Sequence, residues 1–444
     1  MAFASSNTAS SRARIVVVGG GFAGFEAARG LARRAGSAAE IVLINPTNYF
    51  LYLPLLPEVT AGILDPRRIA VSFAHALPGV QLILGRVQDA GIDLDKQTVH
   101  YTDAEGHPGE IIYDRLVLAA GSVNKLLPVP GIAEHAHGFR GLPEAIYLRD
   151  HITRQFALAD TATDPAERAS RLTFAVVGAG YTGTEVAAQG PLISAAQLKR
   201  HPRLRGEPVR WLLLDVAKRV LPELDERLSR TADSVLRRRG VEVLTGTSVK
   251  EATGDGIQLT DGRFVPTHTL IWCVGVRPDP LVSDVGLETQ KGRLVVDEYL
   301  TVPGHPEIFA CGDSAAVPDL TRPGEVTPMT AQHASRQGKL AARNVAASFG
   351  RGERRPYKHH DLGFLVDLGG TQAAANPLRI PLSGLPAKVV TRGYHLLSMP
   401  GNRIRTASEW ALDAVLPRET AELGLVRSGA VPLLDTSSPE RPRD

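Results

Sequence analysis

The sequence predicts an α/β protein built on two parallel, doubly wound sheets, and three observations predict it. The run Ile15-Val16-Val17-Val18 leads directly into Gly19-Gly20-Gly21-Phe22-Ala23-Gly24, followed by a helical pattern through Glu26, Ala27, Ala28 and Leu31. Phe174-Ala175-Val176-Val177 leads in the same way into Gly178-Ala179-Gly180-Tyr181-Thr182-Gly183. Third, 43 glycines in 444 residues is nearly one in ten, against roughly 7% in ordinary chains. At about 150 residues per domain the length allows two or three domains.

Composition narrows the partners. Fifty basic and 47 acidic residues leave a formal charge of +3, too even for a nucleic-acid binder. The two cysteines, Cys273 and Cys311, form neither a disulfide framework nor a C-x-x-C redox pair. They read as small core residues in apolar strands. The histidines show no metal-ligand spacing, and the adjacent His359-His360 point apart, so no metal is expected. No apolar run reaches the roughly 18 residues of a membrane span. Residues 1–13 and 428–444, small and polar or rich in Pro, Ser and charge, read as disordered tails.

Each half of the repeat has a physical reading. Gly19 and Gly178 permit the tight turn. Gly21 and Gly180 let backbone approach a pyrophosphate, and Gly24 and Gly183 let helix close on strand. The helix N-terminus adds unpaired N–H groups and a partial positive charge. The next strands, Ile41–Ile44 and Trp211–Leu214, end in Asn45 and Asp215, where a ribose is held. Asn45 accepts a hydrogen bond without charge. Asp215 would repel a 2′-phosphate, so NADH is expected over NADPH. Two such cradles imply Rossmann-like domains for one held FAD and one exchanging nicotinamide. Leu116–Gly121, with Ala120 and Gly121, and Leu270–Gly275 read either as strands whose ends pass a cofactor or as ordinary core strands. Ile308–Asp313 ends in Gly312-Asp313, an acid for a ribityl hydroxyl or a helix cap.

This ordered set resembles the flavoproteins with two dinucleotide-binding domains, and within them type II NADH:quinone oxidoreductase. Asn48-Tyr49-Phe50 through Pro54-Leu55-Leu56 is similar to that family's loop beside the flavin. Gly183-Thr184-Glu185 places an acid where the family has a glutamate near the nicotinamide. Ala331-Gln332-His333-Ala334-Ser335-Arg336-Gln337-Gly338 resembles its A-Q-x-A-x-Q quinone motif, and Pro356-Tyr357 through Asp361-Leu362-Gly363 the segment that follows. The resemblance implies FAD as cofactor, NADH as co-substrate, a quinone acceptor, a homodimer, and a peripheral place on the cytoplasmic face of the cell membrane. It implies catalytic roles for Glu185, Gln332 and Gln337, and a helix from Ala331 aimed at the flavin. Glu185, read as lying in a helical first turn, would be favoured there by the dipole in any case. Arg336 stands where the second motif glutamine belongs; Gln337 follows, rotated by about 100°. Gly190-Pro191 is expected to break the second cradle's helix early.

The expected plan is an FAD domain of residues 14–149 and 300–387, interrupted by an NAD(H) domain at 171–298 behind a polar linker near 160–170. Residues 388–427 come last, with Val389, Tyr394, Leu397, Ile404, Trp410 and Val415 interleaved with Arg392, Arg403, Arg405 and Arg418. They read as two amphipathic helices fit for a lipid surface, or for docking on protein.

Overall fold

The computed structural model describes residues 12–87, 90–359, 362–419 and 421–433, apart from the side chain of Ser37. The chain divides into two compact units: residues up to Phe50 with Ser72–Val123 and Arg277–His360, and Leu51–Val71 with Asn124–Val276 and the segment from Asp361 onward.

The first unit is organised by five parallel strands in the order His305–Ala310, Arg115–Leu118, Ala13–Val18, Ala39–Asn45 and Gln81–Arg86. Ile15 lies beside Ile41 on one side and Arg115 on the other. Val16, Val17 and Val18 are buried, as β-branched residues of a sheet covered on both faces should be. The helix Phe22–Ala35 follows the turn and meets the helix Ala331–Ala347. They approach so closely that a Cβ on Gly338 would lie 2.1 Å from the carbonyl oxygen of Ala23, and a Cβ on Gly30 2.6 Å from the Cβ of Ala342.

In the second unit five parallel strands run in the order Ala136–Gly138, Thr269–Trp272, Thr173–Val177, Arg210–Asp215 and Val241–Thr245. Trp211 stacks on Phe174 within that core, ring centroids 4.6 Å apart. One expectation fails here. The helix from Tyr181 does not break at Pro191 but continues to Arg200. Its packing holds it there: Gly190 lies flat on the Trp211 ring, where a Cβ would come within 2.2 Å, and the Trp211 indole N–H donates to Ser194 one turn later. The polar linker is helical too, at Leu142–Thr161 and Pro165–Arg171, the latter capped by Asp164.

The units also divide the chain differently from the expected 14–149/300–387 and 171–298 plan. Leu51–Val71, 124–149 and 361–387 fall in the second unit, and 277–298 in the first. Of the tails, 1–11 and 434–444 lie outside the described residues. Ala13 begins a strand, and Leu433 is buried in the second unit's core beside Ile132 and Trp272.

Candidate functional site

Each unit carries one cradle, and the two are alike bond for bond. In the first, Gly19 has φ +94°, and a Cβ there would lie 2.3 Å from the Ala119 carbonyl oxygen. A Cβ on Gly24 would lie 1.8 Å from that of Gly19. In the second, Gly178 has φ +101°, a Cβ there would lie 2.2 Å from the Cys273 carbonyl oxygen, and one on Gly183 1.8 Å from that of Gly178. These four glycines are filled in by the fold. Gly21, Gly180, Gly121 and Gly275 are the opposite case: nothing lies within 4 Å of where a Cβ would stand. Open backbone at the helix start and at the end of the neighbouring strand is what a pyrophosphate needs to approach N–H groups, so both cradles fit a dinucleotide.

Asn45 and Asp215 are tied to their own loops. Asn45 Oδ1 accepts from the Gly20 N–H at 2.7 Å, and its Nδ2 donates to the Thr47 carbonyl at 2.8 Å. Asp215 accepts from the Ala179 N–H at 2.5 Å and the Ala217 N–H at 2.7 Å. In both units the strand's last residue thus braces the residue after the first glycine. A carboxylate has about four lone-pair positions, so Asp215 keeps capacity for ribose hydroxyls.

In the first unit the fold joins two of the predicted strand ends. Gly121 N–H donates to Ser314 Oγ at 3.0 Å, and Ser122 Oγ donates to Asp313 at 2.6 Å. Asp313 lies in the short turn Gly312–Ser314 and caps no α-helix. The helix from Ala331 is capped by Thr330 instead. Along that helix the two predicted glutamines part. Gln332 is half-buried. Gln337 is buried, its Oε1 accepting from the Gly312 N–H at 2.8 Å and its Nε2 donating to Thr327 Oγ1 at 2.9 Å. Both ends of its amide are occupied, so Gln337 positions the Gly312 turn and offers no group outward. Arg336 bonds His359 Nδ1 at 2.9 Å, and His333 Nδ1 bonds the Tyr357 hydroxyl at 2.8 Å. His360 and Asp361 lie outside the described residues. Cys311 is buried and Cys273 half-buried, and desolvation pushes both thiols up to about 12.

The second unit holds a cluster absent from the sequence reading. Glu185 lies beyond the first turn of its helix, which starts at Tyr181, so the dipole does not account for it. Its carboxylate accepts from the Asp367 N–H at 3.0 Å. Asp367 pairs directly with Lys388, whose Nζ also stands 3.9 Å from Glu58. Trp410 donates its indole N–H to Glu58, and the Arg392 guanidinium lies 4.8 Å over the Trp410 ring. Desolvation, then the neighbouring Asp367 and Glu58, hold the Glu185 carboxyl well above the usual range. Desolvation, then Asp367, raise Glu58 to about 7 against the pull of Lys388 and Arg392.

The sign for Glu58 follows. A carboxyl whose folded pKa is raised binds more protons folded than unfolded, so its stabilisation is full below about 4.5 and is lost as pH rises through about 7. Glu58→Gln should therefore gain stability relative to wild type as pH is raised from 5 to 8; urea melts at both pH values check this, and a constant difference would refute it.

Lys388 sits on the helix Gly384–Ser398, the first of two C-terminal helices; the second is Arg403–Val415. Their faces are inverted. Lys388, Thr391, His395 and Trp410 point inward, while Leu385, Val389, Leu397, Ile404 and Val415 are 59–83% exposed. Arg392 and Arg418 are turned toward partners, Trp410 and Asp413, and Arg403 and Arg405 are exposed. Among the described residues no helix is long and apolar enough to cross a membrane.

Comparison with known proteins gives these cradles a lineage. The pyridine nucleotide-disulphide oxidoreductase family matches residues 13–338. A type II NADH:quinone oxidoreductase of Mycobacterium tuberculosis is 32% identical over 90% of this chain and 88% of its own length. A second from the same organism is 33% identical over 90% and 86%. A demethylphylloquinone reductase of Synechocystis is 30% identical over 88% and 93%. The solved NDH2 of Plasmodium falciparum in complex with NADH shares the fold, with a TM-score of 0.84 over 92% of this chain and all of that one at 17% identity. With the paired cradles and the length of these alignments, the chain belongs to the pyridine nucleotide-disulphide oxidoreductase family, among the type II NADH:quinone oxidoreductases.

Proposed function

We propose that this protein oxidises NADH and reduces a quinone, with FAD as the bound prosthetic group. The balance is NADH + H⁺ + quinone → NAD⁺ + quinol. When bound, FAD supplies the two-electron carrier between donor and acceptor. Gly19, Gly21, Gly24 and the helix from Phe22 would hold its pyrophosphate, and Ala120, Gly121, Gly312, Asp313 and the start of the helix at Ala331 would contact it elsewhere in the same unit. Gly178, Gly180, Gly183, Asp215 and Gly275 would hold NADH. Glu185 in the second unit and the half-buried Gln332 in the first keep the catalytic roles that the family resemblance implies for them. The observation that carries the reading is the pair of cradles in one chain, each with its open glycine. Steady-state turnover with a short-tailed quinone, against oxygen and a one-electron dye, tests the acceptor; a quinone rate no higher than the oxygen rate would defeat it.

The exposed apolar faces of the C-terminal helices, flanked by Arg403 and Arg405, support a peripheral place on an anionic lipid surface, at the cytoplasmic face of the cell membrane. A homodimer follows from the family resemblance, and light scattering tests it. Asp215→Ala should narrow the kcat/KM gap between NADH and NADPH by about tenfold, the worth of one charged contact of about 1.4 kcal/mol. An unchanged ratio would place the ribose contact elsewhere.

A further inference from the structure

The inward face of the helix Gly384–Ser398 carries Lys388, Thr391 and His395, all buried. Steps of three and four residues stack them on one face, about 10 Å from first to last along the axis. At one end Lys388 meets Asp367 and Glu58, and the Asp367 N–H reaches Glu185. At the other, His395 Nδ1 lies 3.2 Å from the Tyr52 hydroxyl. Tyr52 neighbours Tyr394 and Ser398, and Ser398 is exposed. Midway stands Thr391, fully buried, with no hydrogen-bond partner for Oγ1 among the described residues. Glu58 Oε1 has none either. A helical threonine ordinarily settles its hydroxyl on the carbonyl one turn back. Leaving it unpaired destabilises the fold, and a bound water removes that cost.

We infer that this face is a proton inlet, in which Tyr52, His395 and a water seated on Thr391 pass protons from solvent to the Lys388–Asp367–Glu58 group beside Glu185. The inference rests on the proposed reaction. NADH brings one hydride, so one proton of the quinol must come from solvent at each turnover. The relay adds no charge to the interior. As the Tyr52 O–H bond breaks, an N–H bond forms at His395 Nδ1, the Nε2 proton leaves toward Thr391, Tyr52 is reprotonated from outside, and a flip of the imidazole ring resets the tautomer for the next proton. The groups facing His395 are Tyr52 from the segment before Leu56–Thr60, Asp367 from the strand Leu365–Asp367, and Lys388 and Tyr394 from its own helix. Burial lowers the imidazole to about 4, so it is neutral at pH 7 and has one nitrogen to accept and one to donate.

Thr391→Val in the full-length holoenzyme tests the inlet, because it keeps the shape and removes the hydroxyl. Quinol formation from a short-tailed quinone should slow by about 10²-fold, the low end of a positioned proton donor's contribution. Its solvent deuterium isotope effect should rise. Anaerobic bleaching of the flavin by NADH should keep its rate, and the melting temperature should stay near that of wild type, since valine keeps the shape of the side chain. Thr391→Ser should restore turnover, and His395→Gln should reproduce the defect. Wild-type turnover with an unchanged isotope effect in Thr391→Val would overturn the inlet alone, as would a defect that follows a fall in melting temperature. No quinol from the wild-type protein would overturn the acceptor assignment and the inlet with it.

Discussion

Gly180→Leu should purify yellow and resist bleaching by NADH, whereas Gly21→Leu should purify colourless. Nothing stands within 4 Å of a Cβ at either position, so the new side chain costs the fold little and occupies only the space a pyrophosphate would take. Displacing a substrate by even about 1 Å can cost 10²-fold, and a leucine in the cradle displaces it by more. kcat/KM for NADH in Gly180→Leu should therefore fall by at least about 10²-fold with FAD content unchanged. The circular dichroism melt of Gly180→Leu should match wild type, and that of Gly21→Leu should match wild type stripped of its flavin. A yellow Gly21→Leu protein, or a Gly180→Leu protein that NADH bleaches at the normal rate, would show that the cradles have been assigned to the wrong ligands.

Lys388→Met should destabilise the second unit. Lys388 is 4% exposed and is the cation directly paired with Asp367. Removing one partner of a buried pair costs about 3–5 kcal/mol, because the other charge is left uncompensated. For a unit of this size that corresponds to a fall of roughly 6–20 °C in melting temperature. Adding Glu58→Gln to Lys388→Met should recover part of the loss, since one carboxylate fewer then needs a counter-charge. Calorimetry resolves both. A single variant that melts like wild type would mean that the lysine is solvated.

The cradles were legible in the sequence because their constraints are local. Gly19 and Gly24 are jammed against backbone a few residues away or on the adjoining strand, and spacing alone reports that requirement. Asn45 and Asp215 were legible as strand ends, but their shared task of bracing Gly20 and Ala179 shows only once both strands lie side by side. The packing of Gln337 was not legible for a related reason. A motif letter gives a position along the helix, while burial against Gly312 and Thr327 depends on what packs across from it. Pro191 likewise looked like a stop, and the Trp211 contact at Gly190 kept the helix running.

By itself the sequence determined the chemistry the chain can hold: two glycine turns on two β-branched strands, an acid after only the second, no dithiol, and a C-terminus alternating apolar and cationic residues. The tertiary structure alone decided which charges meet. Glu58 and Trp410 are 352 residues apart, and Lys388 reads in sequence as the start of a lipid-facing segment. Turning that helix inward buries its polar side and leaves Leu385, Val389 and Leu397 exposed. The physical reason is that a glycine turn is fixed by the geometry of its own backbone, while a buried charge is tolerable only where folding brings it a partner.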